Sequence, residues 1–262
     1  MQVIILCGGL GTRLREETEY RPKPMVEIGG RPILWHIMKG YAKHGFREFV
    51  LCLGYKGGMI KDYFLNYETF TNDFTLTLGA DKNIKFHNAH TEEGWKITFV
   101  ETGATAMTGA RIRRVLPYIK SKNFALTYGD GVADIDLTAE VAFHEAHGCQ
   151  ATVAAVRAPS RFGEMVIDEL KLVGNFLEKP EAAVERINGG FFILKRAGIE
   201  KYLQPADDEG LVWERQPLEA LARAKQLKAF QHSGFWQPMD TYREFELLNE
   251  LWRKDKAPWK TW

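Results

Sequence analysis

Cysteine is scarce. Cys7, Cys52 and Cys149 are odd in number and far apart, so no disulfide framework is expected and a reducing, cytoplasmic setting is. Net charge is nearly absent too, a formal +1 over 262 residues, which leaves no whole-protein field for nucleic acid or an anionic membrane. No nucleic-acid or membrane partner is expected, and any polyanion must be gripped by locally placed cations. Long apolar runs are missing: Gln2-Val3-Ile4-Ile5-Leu6 is too short for a signal peptide or a membrane span. Repeats, low-complexity tracts and linkers rich in Pro, Gly or Ser are missing as well. The expectation is one domain over 1–262, with a β-rich arm at 66–101 and a helix with an aromatic tail at 241–262.

What the chain does have is short apolar runs alternating with amphipathic stretches, the rhythm of βαβ units around a mainly parallel sheet. Val3 to Cys7, Glu48 to Leu53, Phe124 to Tyr128 and Ala151 to Val156 read as strands. Helices are expected from Pro32 to about His44, Gly57 to Leu65, Arg111 to Ile119 and Leu137 to His147. The fold class is therefore α/β, a doubly wound, Rossmann-like mixed sheet. Thr69 to Glu101 alternates with period two at Phe74, Leu76 and Leu78 and reads as short strands of an arm. Met165 to Leu194 reads as further short strands, antiparallel pieces added to the sheet.

Strand one runs into Gly8-Gly9-Leu10-Gly11-Thr12-Arg13. Glycines allow positive φ and close approach, so successive N–H groups can face one anion, and Arg13 adds a planar fork for a polyphosphate. A P-loop would need Gly-Lys-Ser or Gly-Lys-Thr, and a dinucleotide fingerprint a helix directly after the glycines. Neither pattern is present. Pro22 and Pro24 instead keep Arg21 and Lys23 out of the α region, so Lys23 is expected on an extended segment beside the loop. Further along, the strand ending at Tyr128 gives way to Gly129-Asp130-Gly131, which places a carboxylate where ligands of open α/β sheets bind. Asp136, just before Leu137, reads as a helix N-cap. Asp240 reads either as an N-cap for a helix beginning near Thr241 or as a second metal carboxylate.

The run Leu6-Cys7-Gly8-Gly9-Leu10-Gly11-Thr12-Arg13-Leu14 with Pro22-Lys23-Pro24-Met25 resembles the opening of the sugar-1-phosphate nucleotidyltransferases. That family usually has Ala where Cys7 stands, and burial explains Cys7 better than a nucleophilic role. The resemblance implies that Leu6, Gly8, Gly9, Gly11, Thr12, Arg13, Lys23, Gly129 and Asp130 hold the nucleotide, and that Asp130 and Asp240 hold Mg²⁺. Phe176-Leu177-Glu178-Lys179-Pro180 and Ile187-Asn188-Gly189-Gly190 resemble two further family motifs. They imply that Lys179 contacts the sugar phosphate, and that Glu178, Asn188 and Gly189 serve the sugar side.

Over nearly its whole length the chain resembles one branch of that family, the cytidylyltransferases of glucose 1-phosphate. Pro32 to Met38, Thr102-Gly103 with Met107-Thr108-Gly109, Tyr128 to Asp134, Arg161-Phe162-Gly163, Gly189 to Phe192, Gly234 to Thr241 and Ala257 to Trp262 carry this likeness. It implies CTP and glucose 1-phosphate as substrates, Thr102, Gly103 and Thr108 near the pyrimidine, and Arg13, Lys23 and Lys179 as the catalytic cations. Glu181 and Glu185-Arg186 depart from the pattern beside the sugar motifs. A homo-oligomer is expected, with Trp236, Trp252, Trp259 and Trp262 as candidates for its contact. His144 and His147 are three apart, not the four of a zinc-protease helix, and read as decoration of a helix end. The competing readings are a nucleotide-sensing module without catalysis and an NAD-dependent dehydrogenase. The latter would need a helix at Gly11 and an acid closing strand two, where Cys52-Leu53-Gly54 stands.

Overall fold

Residues 2–6 are apolar on both faces apart from Gln2, and the strand they form is sandwiched accordingly. Val3, Ile5 and Cys7 enter one core while Ile4 and Leu6 enter the other. The computed structural model describes residues 1–79, 83–88, 90–158, 164–167, 172–177, 186–204 and 209–262, with backbone alone at 15–16, 164–167 and 173–177.

Seven strands build the central sheet: β1 (Gln2–Leu6), β2 (Glu48–Leu53), β3 (Lys96–Glu101), β4 (Asn123–Tyr128), β5 (Ala151–Arg157), β6 (Arg186–Lys195) and β7 (Leu227–Gln231). Their order is β7-β5-β6-β4-β1-β2-β3. All run parallel except β6, which is antiparallel to both its neighbours. The doubly wound, mainly parallel expectation therefore holds.

Helices α1 (Ile33–Lys43) and α4 (Leu137–His147) cover one face, and α3 (Thr108–Val115) and α5 (Gln216–Arg223) cover the other. Helix α2 (Gly57–Leu65) follows β2, and α6 (Tyr242–Arg253) closes the first face through Leu248. Each fully buried aliphatic side chain here contributes about 1.5–3 kcal/mol of hydrophobic stabilisation. The Asp136 side chain caps α4 by accepting from the Ala139 N–H at 3.0 Å, as its position suggested.

Three expectations need correction, and the tail tryptophans gain a role within the chain. Lys96–Glu101 is not part of an arm but the edge strand β3, paired in parallel with β2; what stands apart is the ribbon Phe74–Thr77 with Asn83–Phe86. Helix α3 begins at Thr108 rather than Arg111 and ends in a 3₁₀ turn, Leu116–Tyr118, where Pro117 interrupts it. The tail tryptophans also pack within the chain. Trp259 is buried, stacked 5.5 Å from Phe235, Trp252 lies 4.7 Å from the His36 ring, Trp262 lies 5.9 Å from Trp35, and Trp236 Nε1 donates to Gly189 O. His144 is buried rather than decorative, and both it and His147 bond the Thr152 hydroxyl, at 2.9 and 2.7 Å.

Candidate active site

The glycine loop leaves β1 at its carboxyl end. Gly11 takes φ +65°, then a 3₁₀ turn at Thr12–Leu14 and four helical residues, Arg15–Thr18, follow. This single helical turn stops before Pro22, too short for the long helix of a dinucleotide fold. Gly9, Leu10, Thr12 and Arg13 are exposed, while Leu6 is buried with its carbonyl accepting from the Gly129 N–H at 3.0 Å. Lys23 is not extended, as expected, but opens a 3₁₀ turn, Lys23–Met25. Burial of Pro24 and Met25 overrides the local preference set by the prolines.

From that turn the Lys23 ammonium reaches Asp130 at 2.6 Å and Asp240 at 2.5 Å. Arg13 meets the other oxygen of Asp240 at 2.8 Å. Asp130 and Asp240 are far apart in sequence, and a small ribbon joins them. Gly131–Ala133 pairs antiparallel with Trp236–Pro238, and Met239 N–H donates to Asp130 O at 2.8 Å. Asp240 is not the helix cap. Thr241 caps α6 in a capping box with Glu244, whose carboxylate also accepts from the Asp240 N–H at 2.7 Å. The Asp240 carboxylate therefore faces the cations. Burial alone would depress the Lys23 pKa, but the charges and hydrogen bonds of Asp130 and Asp240 outweigh it and hold the pKa above its ordinary value. Two carboxylates are gathered round one ammonium, beside an exposed arginine and a glycine loop, a grouping whose chemistry suits a polyphosphate.

The sequence profile of the family described as "Nucleotidyl transferase" matches residues 2–247. The chain belongs to that family. A glucose-1-phosphate cytidylyltransferase of Salmonella typhi is 50% identical, with 100% of both chains covered. A mannose-1-phosphate guanyltransferase of Schizosaccharomyces pombe is 31% identical over 92% of this chain and 62% of the relative. Among solved structures, HddC from Yersinia pseudotuberculosis complexed with GMP-PN superimposes with a TM-score of 0.67. It is 24% identical and covers 96% of this chain and 99% of that one, a likeness of fold.

One residue of this nucleotidyl transferase escaped the sequence reading. Arg111, on α3, is buried, and its guanidinium donates to the carbonyls of Gly8 (3.0 Å), Leu53 (3.0 Å) and Gly103 (2.8 Å) and to the Thr102 hydroxyl (2.8 Å). It fastens the glycine loop to the segment after β3. A side chain at Gly8 would place a Cβ 2.1 Å from that guanidinium, which is why glycine stands there. The available signal was positional: Arg111 falls between Ala110 and Ile112, on the buried side of α3. Thr102 itself is buried, its hydroxyl donating to Leu53 O at 2.7 Å. The Thr108 hydroxyl donates to Glu214 at 2.7 Å and accepts from the Trp213 N–H at 2.9 Å.

Burial raises the Cys7 pKa well above its ordinary value, so its thiol stays protonated and is no nucleophile. Asn188 and Gly189 lie on β6, one strand beyond Asp130, with Asn188 exposed and Gly189 buried. Glu178, Lys179, Arg161-Phe162-Gly163, Glu181 and Glu185 lie outside the described residues.

Proposed function

We propose that this enzyme joins CTP and α-D-glucose 1-phosphate to give CDP-glucose and pyrophosphate. One observation carries the reaction class: Lys23 and Arg13 gathered on Asp130 and Asp240 at the mouth of the glycine loop. The full-length 50% identity to the Salmonella typhi enzyme supports the choice of substrates.

A phosphate oxygen of the sugar phosphate attacks the α-phosphorus in line. A new P–O bond forms, the bond to the β-phosphate bridge breaks, and its electron pair leaves with pyrophosphate. The nucleophile is already an anion, so no side chain need take its proton. The barrier is repulsion between two polyanions, and catalysis reduces to positioning and charge neutralisation. Arg13 neutralises the departing pyrophosphate, Lys23 the oxygens around the α-phosphorus, and Lys179 the incoming phosphate.

The donor set suits Mg²⁺: two hard carboxylates drawn together, with an ammonium standing where a cation is favoured. Asp130 and Asp240 would hold the ion, which supplies charge neutralisation to both substrates when bound. Glu178, Asn188 and Gly189 serve the sugar, and Gly8, Gly9, Gly11, Thr12 and Gly129 the nucleotide phosphates. Thr102, Gly103 and Thr108 belong to the base side. A cytoplasmic setting accords with three free cysteines, of which Cys7, just past β1, donates its N–H to the carbonyl of Cys52 on β2. No helix among the described residues is long and apolar enough to cross a membrane.

The test is pyrophosphate release with CTP, UTP, dTTP and GTP against a panel of sugar 1-phosphates. CTP with glucose 1-phosphate should give the highest kcat/KM by at least about tenfold. CTP binding with no turnover on any sugar phosphate would leave only a nucleotide-binding module.

A further inference from the structure

Asp240 is delivered to the site at the end of a short strap. β7 ends at Gln231, and the strand that pairs beside Asp130 begins at Trp236. In the sheet order β5 and β6 lie between β7 and β4, so residues 232–235 carry the chain past both strands. That crossing is tied down along its length. Arg186, at the start of β6, donates through Nη1 to the carbonyls of Ala155 (2.8 Å) and His232 (2.6 Å), and through Nη2 to Ser233 Oγ (3.1 Å). The His232 N–H donates to the same Ala155 carbonyl at 3.0 Å. Its ring Nε2 stands 3.0 Å from Asp134 Oδ1 and 3.2 Å from Phe235 O. Gly234 passes so close to Asp134 that a Cβ there would come within 2.4 Å of Oδ1. Trp236 Nε1 then donates to Gly189 O at 2.7 Å.

The path onward from the strap is fixed residue by residue. Trp236–Pro238 pairs with Gly131–Ala133, the Met239 N–H donates to Asp130 O, and the Asp240 N–H donates to Glu244. A shift at residues 232–233 is therefore passed along the ribbon to Asp240 rather than absorbed before it. Three residues a side supply few ladder bonds to resist such a shift, and a two-stranded ribbon is marginal alone. The ribbon takes its place from what it is tied to. Arg186 makes the tie at the β7 end, and it is one of the residues that depart from the family pattern. Its planar guanidinium suits the task, because two nitrogens of one rigid group meet three acceptors from β5 and from two successive strap residues.

We propose that Arg186 is a positioning residue for the divalent metal: by clamping residues 232–233 to β5 and β6, it sets the place of the Asp240 carboxylate. The proposal rests on Asp240 being a metal carboxylate, as proposed above. Mg²⁺ demands near-ideal octahedral geometry, so a carboxylate displaced by a fraction of its bond length holds the ion less well. Groups that orient a metal ligand from behind typically govern affinity by about 10–100-fold. The glycine loop is fastened separately, by β1 and the guanidinium of Arg111. Loss of Arg186 is therefore felt at the metal and not in the grip on the nucleotide.

Calorimetry of CTP binding, in EDTA and again with saturating Mn²⁺, separates the nucleotide grip from the metal site without any turnover. Mn²⁺ should tighten CTP binding to the unsubstituted protein. Arg186→Met should bind Mn²⁺·CTP about tenfold more weakly, and CTP in EDTA as before. Arg186→Lys, which keeps a charge able to donate to the two carbonyls, should recover part of that loss. In an Asp240→Asn background Arg186→Met should add no further loss, because the carboxylate it positions is gone. Equal weakening of CTP with and without metal would reveal a merely structural role and overturns the proposal. So does an unchanged Mn²⁺·CTP affinity in folded Arg186→Met, or a loss that persists in full beside Asp240→Asn. Should Arg186→Met fail to fold, Ser233→Ala decides, since it removes a single one of the donations. A smaller loss confined to Mn²⁺·CTP supports the proposal, and no such loss overturns it. If Mn²⁺ does not tighten CTP on the unsubstituted protein, the metal reading of Asp240 falls and the proposal with it. Failure in the variants alone leaves that reading standing.

Discussion

At Lys23 burial and charge pull in opposite directions, and charge wins because two carboxylates converge on one ammonium. Removing either carboxylate leaves that ammonium half-satisfied and deprives the phosphates of a counter-ion partner. Asp130→Ala and Lys179→Ala should each lower kcat by about a hundredfold or more, the equivalent of roughly 2.7–4 kcal/mol for one preorganised charged contact. Circular dichroism should show the fold retained, and near-normal kcat in a folded variant would remove that residue from the mechanism. Single residues differed in how openly they declared themselves. Glycines around residues 8–11 and 129–131, and prolines flanking Lys23, punctuate the chain strongly enough to point to the proposed phosphate grip and its carboxylate. Arg111 gave no such sign, since arginine is ordinarily a surface residue and nothing local says that its acceptors will be backbone carbonyls from three other segments.

Elements with a strong period were readable: Glu48–Leu53, Gly57–Leu65 and Leu137–His147 have the bounds their patterns gave. The ribbon of Gly131–Ala133 and Trp236–Pro238 was not, because three residues carry no period. The pairing of Asp130 with Asp240 was therefore open only to family resemblance. Helix α4 carries a separate consequence. Glu140 is fully buried, neither carboxylate oxygen finds a partner, and burial pushes its pKa up to about 8. The folded state thus keeps a proton that the unfolded chain releases, and stability falls as pH rises toward 8. Buried His36 and His144, held down to about 4 by burial, oppose this only at lower pH, where unfolded histidines titrate. Between pH 6.5 and 8 Glu140 should contribute a slope of up to about −1.4 kcal/mol per pH unit. Urea unfolding of Glu140→Gln should show a flatter dependence over that window. An unchanged slope would mean Glu140 is already ionised.

For the whole molecule, the expected homo-oligomer has a second candidate contact besides the aromatic tail. The ribbon at 74–77 and 83–86 exposes Phe74, Leu76 and Ile84, with Leu78 beyond it, and a two-stranded ribbon is marginal in water without support. Light scattering should give a multiple of the chain mass, reduced by Leu76→Asp, which faces Ile84 across the ribbon. A single-chain mass for the unsubstituted protein would end the proposal. The global architecture was legible because both faces of the sheet are buried and the strands say so. The edge position of Lys96–Glu101 was hidden, because a polar-flanked edge strand resembles an arm strand. Finally, the small ribbon that delivers Asp240 sets an order in time. Synthesis proceeds from the N-terminus, so the phosphate loop and Asp130 emerge long before residue 240 leaves the ribosome. A polypeptide that stops short of Trp236 lacks the second carboxylate of the proposed site and the strand Trp236–Pro238 that would carry it, so on that reading competence arrives only with the last thirty residues.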